Sequence, residues 1–260
     1  MTCVKLESYL KYPILLVEHP FGSGELLASP FRTFIYPCIR AHLLMQALID
    51  QLATLRKTDI RETVEQRLNE FAAVRARPSA DVFSELCFCL LTANAKASTA
   101  LAIQRELGPL GFLTKNQEEI TQCLRKHAHR FHNNKAAYII AARKKADIKR
   151  TLTRWTPADP PDNHAARDWL VENVHGLGMK EASHFLRNVG YQHLAIIDRH
   201  ILRVLGDNAI IAKQMVQSTL TRKKYLAIEK KLRHLAKATD MNLAELDLYL
   251  WYLKTGRVWK

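Results

Sequence analysis

Lys180 and Asp198, eighteen positions apart, are the two side chains of this sequence best suited to covalent chemistry on a sugar. Lys180 follows Gly176-Leu177-Gly178-Met179 and falls, by pattern, in the first turn of a helix. That end of a helix favours anions, so a lysine there is electrostatically out of place. It is either a solvated lysine that also meets phosphate, or an amine nucleophile that a positive local field and partial burial keep neutral. A neutral amine attacking a sugar C1′ yields a Schiff base. Asp198 closes the apolar run Leu194-Ala195-Ile196-Ile197 and precedes another helix, where its ordinary role is an N-cap. Paired with Lys180 it is also a carboxylate able to stabilise a cationic, oxocarbenium-like sugar. The two roles are compatible.

The segment from Val174 to Asn188 reads as the end of one helix, a tight turn and the start of a second. Gly176 and Gly178, separated by one apolar residue, permit positive φ and let the backbone approach a ligand closely. The second helix presents its free N–H groups and the positive end of its dipole, an anion site that needs no side chain. Leu177 points back and holds the two helices together. This is the helix–hairpin–helix pattern, which grips a DNA phosphate with main-chain amides; an ordinary αα-turn with a C-cap glycine is the alternative.

The elements that must position these residues are helical nearly throughout. Apolar residues recur at three- and four-residue spacing over Ala41–Arg56, Asp59–Arg75 and Ala80–Leu91, the last with Ser79 as N-cap. Further helices are expected over Ala97–Leu107, Gln117–His127, Lys135–Lys149, His164–Val174, Met179–Asn188, Arg199–Leu205 and Thr221–Lys237. The last, Leu243–Lys254, opens on Asn242 with Glu245 three residues on, and Gly256 lies just past its end. Ser29–Cys38 is the one plausible extended stretch, and the prolines of Pro157–Pro161 mark a linker or sharp loop. The fold class is all-α.

Composition narrows the partner. The 260 residues carry 39 Lys and Arg against 25 Asp and Glu, a net charge of +14, which favours a polyanion. Residues 1–44 hold four basic and three acidic side chains, so +13 of that charge belongs to residues 45–260. No apolar run approaches the roughly 18 residues needed to span a bilayer, and the N-terminus lacks the apolar stretch of a signal peptide. A soluble intracellular protein is expected. Five cysteines without a CxxC pair argue against a disulfide framework and against a metal or iron–sulfur site; Cys87 and Cys89 read as small buried hydrophobes.

Residues 45–260 resemble the second, mainly archaeal type of 8-oxoguanine DNA glycosylase/AP lyase within the helix–hairpin–helix superfamily. The resemblance rests on Glu85–Asn94, Arg130-Phe131, Lys180–Tyr191, Ala195–Leu202 and the terminus Leu246–Lys260. It implies two helical subdomains flanking a cleft, with the hairpin (166–189) beside it and no iron–sulfur cluster. It places the family's lysine nucleophile on Lys180 and its catalytic aspartate on Asp198. Phe131 and Trp251 become aromatics against a flipped base, although helix-core packing would also explain them, since Leu243, Leu246, Leu250 and Leu253 already form a buried stripe. Asn94 is either a side chain that fills the vacated stack or a helix C-cap. Lys260 is either the family's terminal pocket lysine or a frayed end.

The resemblance further implies excision of 8-oxoguanine and β-elimination at the abasic sugar. Double-stranded DNA carrying 8-oxoguanine would be the partner, with no metal or organic cofactor, no membrane, and a monomer acting in a prokaryotic cytoplasm. Another oxidised base, or DNA binding without catalysis, are the alternatives. Residues 1–44 have no counterpart in the resemblance and are expected to be a lineage-specific extension or the product of an upstream start codon.

Overall fold

The computed structural model describes the backbone of residues 30–258 and the side chains of residues 39–258. The chain divides into two units, Met1–Cys38 and Ile39–Lys260, and the second contains both hydrophobic cores and the candidate site. Among the described residues there are twelve α-helices and no strand, as an all-α reading requires. They are α1 (Pro30–Leu55), α2 (Ile60–Val74), α3 (Ser79–Thr92), α4 (Ala97–Thr114), α5 (Gln117–Lys126) and α6 (His132–Ala142), then α7 (Ile148–Leu152), α8 (Pro160–Asn173), α9 (Met179–Asn188), α10 (Arg199–Asp207), α11 (Arg222–Ala238) and α12 (Leu243–Thr255).

Helix ends follow local chemistry. Asn116 and Glu119 form a reciprocal capping box on α5. Thr221 caps α11, and Asn242 accepts the Glu245 amide at the start of α12. Gly256 ends α12 in the left-handed region at φ 68°.

Four local expectations are corrected. Ser29–Cys38 is not extended: α1 starts at Pro30, where the missing N–H costs nothing in a first turn. Pro160 and Pro161 likewise occupy the first two positions of α8, so the second half of the proline cluster opens a helix, while 157–159 form the sharp loop before it. The N-cap position of α3 belongs to Pro78, and Ser79 lies inside the helix. The helix expected over Lys135–Lys149 breaks into α6, a 3₁₀ turn at Arg143–Lys145 and α7.

Buried side chains gather into two cores, the two helical subdomains. The first draws Phe83, Leu86, Phe88, Phe112, Ile139, Leu170 and Phe185 from α3, α4, α6, α8 and α9. Every residue of α3 from Val82 to Thr92 is buried, Cys87 and Cys89 among them, which marks a helix enclosed on all sides. The second joins Leu48, Leu52 and Phe71 of α1 and α2 to Leu205, Tyr225 and Tyr249 of α10, α11 and α12. Helix α9 takes part in both, because Ala182, Phe185 and Leu186 lie in the first core while Met179 packs against the second. The N-terminus of α9, and Lys180 with it, is therefore held where the two cores meet.

Candidate active site

The turn between α8 and α9 is fixed by one ring. Gly176 sits at φ 87°, and a Cβ built there would lie 2.4 Å from Cδ2 of Tyr138. Only glycine satisfies both the backbone and the space. Tyr138 also meets His175 edge-on at 4.8 Å between ring centroids. Gly178 behaves differently from the sequence expectation: its backbone (φ −94°, ψ −178°) is ordinary extended chain, and it serves as the N-cap position of α9. A Cβ at Gly178 would meet Oε2 of Glu181 at 3.3 Å, so that carboxylate lies against the helix N-terminus. Leu177 is buried in the first core, as its expected role demands. The amides of the first turn have no carbonyl partner within their own helix, which leaves donors for an anion.

Lys180 stands two residues past that N-cap and is about three-quarters buried, its Nζ 3.6 Å from Oε1 of Glu181. Asp198 caps α10: its Oδ1 accepts the backbone N–H of His200 at 2.8 Å and of Ile201 at 2.9 Å. A charge carried by helix-terminal amides is poised electrostatically and held rigidly. Near both lies Asp247 of α12, a buried carboxylate bonded to Arg187 at 2.7 Å. Burial, together with the nearby Asp198, pushes the Asp247 carboxyl up to about 6 against the pull of Arg187 and Lys180. Asp247 of α12 thus feels the charges of both Lys180 on α9 and Asp198 at the start of α10.

Arg187 continues inward. Its Nε and Nη2 donate to Oδ1 of Asn188, whose Nδ2 donates to Glu85 of α3, and Gln104 of α4 donates to the same carboxylate. A buried hydrogen-bonded chain thus runs from the first core to the site. Fully partnered networks of this kind rigidify what they hold.

Trp251 lies one turn beyond Asp247 on α12. It is half-buried and meets His200 edge-on at 4.8 Å, and its indole N–H is buried with no hydrogen-bond partner. The buried stripe of α12 is made by Leu243, Leu246 and Leu250, with Leu253 packed at its margin, so the tryptophan is not consumed by the core. Phe131 precedes α6, half-buried beneath the Arg130 guanidinium at 4.6 Å. His129 secures that loop. Its Nε2 pairs with the carbonyl of Leu91 at 2.9 Å, and its Nδ1 accepts the Phe131 amide. Burial holds the imidazole below its ordinary value and so favours the neutral ring. Asn94 is exposed just past α3 at φ 59°, the left-handed conformation of a residue that terminates a helix. Lys260 lies outside the described residues.

These positions decide which expectations come together. Gly176, Gly178 and Lys180 share the turn into α9, and Lys180 and Asp198 both act on Asp247, while His200, whose amide Asp198 accepts, meets the Trp251 ring. Phe131 is joined through His129 to the Leu91 carbonyl in the last turn of α3, three residues before Asn94. Sequence reasoning missed Glu181, Asp247, Arg187 and His129, although the first three lie within stretches that carry the resemblance. One group of potential metal ligands occurs among the described residues: Glu106, Cys123 and His127, with donor atoms within 4.8 Å of one another. Glu106 is already engaged by Lys126 and His127, which accounts for the grouping.

The family model for 8-oxoguanine DNA glycosylase matches residues 64–241, a span that takes in the hairpin, Lys180 and Asp198. The chain belongs to the 8-oxoguanine DNA glycosylase family. It is 44% identical over 213 residues to the 8-oxoguanine DNA glycosylase/AP lyase of Methanocaldococcus jannaschii, covering 82% of this chain and 99% of the relative. The enzyme of the same name from Korarchaeum cryptofilum is 42% identical, with 82% and 98% covered. The M. jannaschii glycosylase/lyase solved with a 15mer DNA containing 8-oxoguanine superposes with a TM-score of 0.77 at 43% identity, over 82% of this chain and all of that one. That similarity shows the same helical fold in the two chains. Among the described residues no helix is long and apolar enough to cross a membrane.

Proposed function

We propose that this chain excises 8-oxoguanine from duplex DNA and then cleaves the strand, with Lys180 as nucleophile and Asp198 as the carboxylate that stabilises the sugar cation. The observation that supports this reading is that Lys180 and Asp198 both act electrostatically on the same buried carboxylate, Asp247. Both are held by helix N-termini, beside a hairpin turn whose free amides suit a phosphate.

The basic body docks on DNA by neutralising phosphates, and the amides around Gly176 and Gly178 hold one of them. A damaged base inside the duplex is beyond reach, so the nucleotide rotates out of the stack. Asn94 fills the space it leaves. Phe131 and Trp251 take the faces of the extruded purine, and Lys260 meets its edge. As the C1′–N9 bond breaks, its electron pair leaves with the base, and the Asp198 carboxylate offsets positive charge growing on the sugar. The neutral Lys180 amine bonds to C1′, a proton passes from its nitrogen to O4′ as the nitrogen lone pair breaks the C1′–O4′ bond, and the opened sugar is left as a protonated Schiff base with a free 4′ hydroxyl. Removal of a C2′ proton then expels the 3′ phosphate by β-elimination, which nicks the strand on the 3′ side. All of these side chains belong to one chain, so a monomer suffices. A substrate in the DNA of a prokaryotic cell is in keeping with the prokaryotic sources of the relatives.

Incubation with end-labelled duplexes tests the reading. An 8-oxoguanine:cytosine duplex should give a nicked product ending in an unsaturated aldehyde, while an undamaged duplex stays intact. Binding without release of the base would overturn it.

A further inference from the structure

Lys135 of α6 is a lysine that the proposed reaction does not use. It is only 5% exposed, and among the described residues it makes no ion pair within 4.0 Å. Its Nζ lies 5.5 Å from the centre of the Tyr138 ring, the same ring that fills the space over Gly176. That stacking places a buried cation directly behind the hairpin turn. Its charge is felt by two neighbours, Glu181 favourably and Lys180 unfavourably, while burial itself disfavours the Lys135 ammonium. Glu181 meanwhile reaches Lys180 at 3.6 Å with one oxygen and lies against Gly178 with the other. One carboxylate thus pairs with Lys180, lies against a helix N-terminus and attracts Lys135 at longer range.

We propose that Lys135 and Glu181 are positioning residues for Lys180: the carboxylate aims the amine, and the buried cation of Lys135 draws on that carboxylate so that it does not hold Lys180 as a fixed ammonium. The inference rests on Lys180 being the nucleophile. Like charge near an amine favours its neutral form, and a nearby carboxylate favours the charged one. Other charged groups face the same place: Asp247 with Arg187 on α12 and α9, Asp198 and His200 on α10, and His175 in the turn. Behind α9 lie Glu85 of α3, Arg67 of α2 and the Arg167–Glu229 pair of α8 and α11. These are bonded elsewhere or shared by every variant tested, so they drop out of a comparison between variants.

The test is the pH profile of borohydride trapping on an 8-oxoguanine:cytosine duplex. Lys135→Met should move the rising limb of that profile to higher pH, and Glu181→Gln should move it lower, each by roughly half to one pH unit. Lys135→Arg should restore the wild-type limb, because it returns the charge. Loss of packing alone cannot produce opposite shifts. If Lys135→Met does not fold, Lys135→Gln carries the same test, since only the charge matters. Unmoved limbs overturn the inference, as does a Lys135→Met defect confined to the salt dependence of DNA binding, which would make Lys135 a phosphate contact. Lys180→Gln run in parallel separates the two claims: persistent trapping there means that the nucleophile is misassigned.

Discussion

Arg187 Nη1 and Asp247 Oδ2 meet at 2.7 Å where the two cores join, and both residues are buried. The guanidinium also covers the Phe71 ring at 4.6 Å. Removing one partner leaves the other charge buried and uncompensated. Asp247→Leu or Arg187→Met alone should each cost about 3–5 kcal/mol, whereas the double variant should recover much of that loss. Urea denaturation of the three variants measures this; additive losses would mean that the pair is not coupled.

Asp198 holds two roles that substitutions can separate. Asparagine is as good an N-cap as aspartate, so Asp198→Asn should keep the bonds to His200 and Ile201 and leave stability within a few tenths of a kcal/mol. Asp198→Ala loses the cap, at about 1 kcal/mol. Both remove the charge, and both should slow base excision by roughly a hundredfold or more. Stability and single-turnover excision, measured on the same preparations, decide it: an Asp198→Asn enzyme of normal rate would confine the residue to capping.

The hairpin glycines should differ. Gly176→Ala meets both a left-handed backbone, costing about 1–2 kcal/mol, and the Tyr138 ring. Gly178→Ala meets only a carboxylate that can swing away. Thermal denaturation should therefore show a clear loss for the first and little for the second, with DNA affinity falling most for Gly176→Ala.

That contrast also shows what was legible in the sequence. Helical spacing located α5, α9, α11 and α12 closely, and Asn242 caps α12 as expected, because those signals are local. The two glycines looked equivalent, since only the position of Tyr138, nearly forty residues upstream, distinguishes them. Proline runs were ambiguous for the opposite reason: the same residues that break a helix interior fit a helix start, as Pro30 and Pro160 do. Asp247 carried no signal of its own. Its meaning comes from Arg187, sixty positions earlier, and from packing that no periodicity reports.

Trp251 and its neighbour Leu250 offer another contrast. Leu250 is core, and Leu250→Ala should cost about 2–5 kcal/mol of stability. Trp251 is half-buried, so Trp251→Ala should unfold the protein less readily. Stacking on a base is worth about 1–3 kcal/mol, so that variant should nonetheless lose roughly tenfold or more in excision. Equal stability losses without an excision defect would return Trp251 to the core.

His129 gives a pH dependence with a definite sign. Its folded value lies below the ordinary one, so the unfolded chain takes up the proton first as pH falls. The stability it contributes is complete above about pH 6.5 and is lost progressively below. Urea midpoints between pH 7 and 5 should fall more steeply for the wild type than for His129→Gln.

Everything proposed for the reaction turns on Lys180 forming the covalent intermediate. Borohydride trapping on an 8-oxoguanine:cytosine duplex, followed by denaturing electrophoresis, tests it in one step. The wild-type chain should give a protein–DNA adduct and Lys180→Gln none, with Asp198→Asn forming adduct slowly. An adduct of undiminished yield from Lys180→Gln would contradict the role given to this lysine.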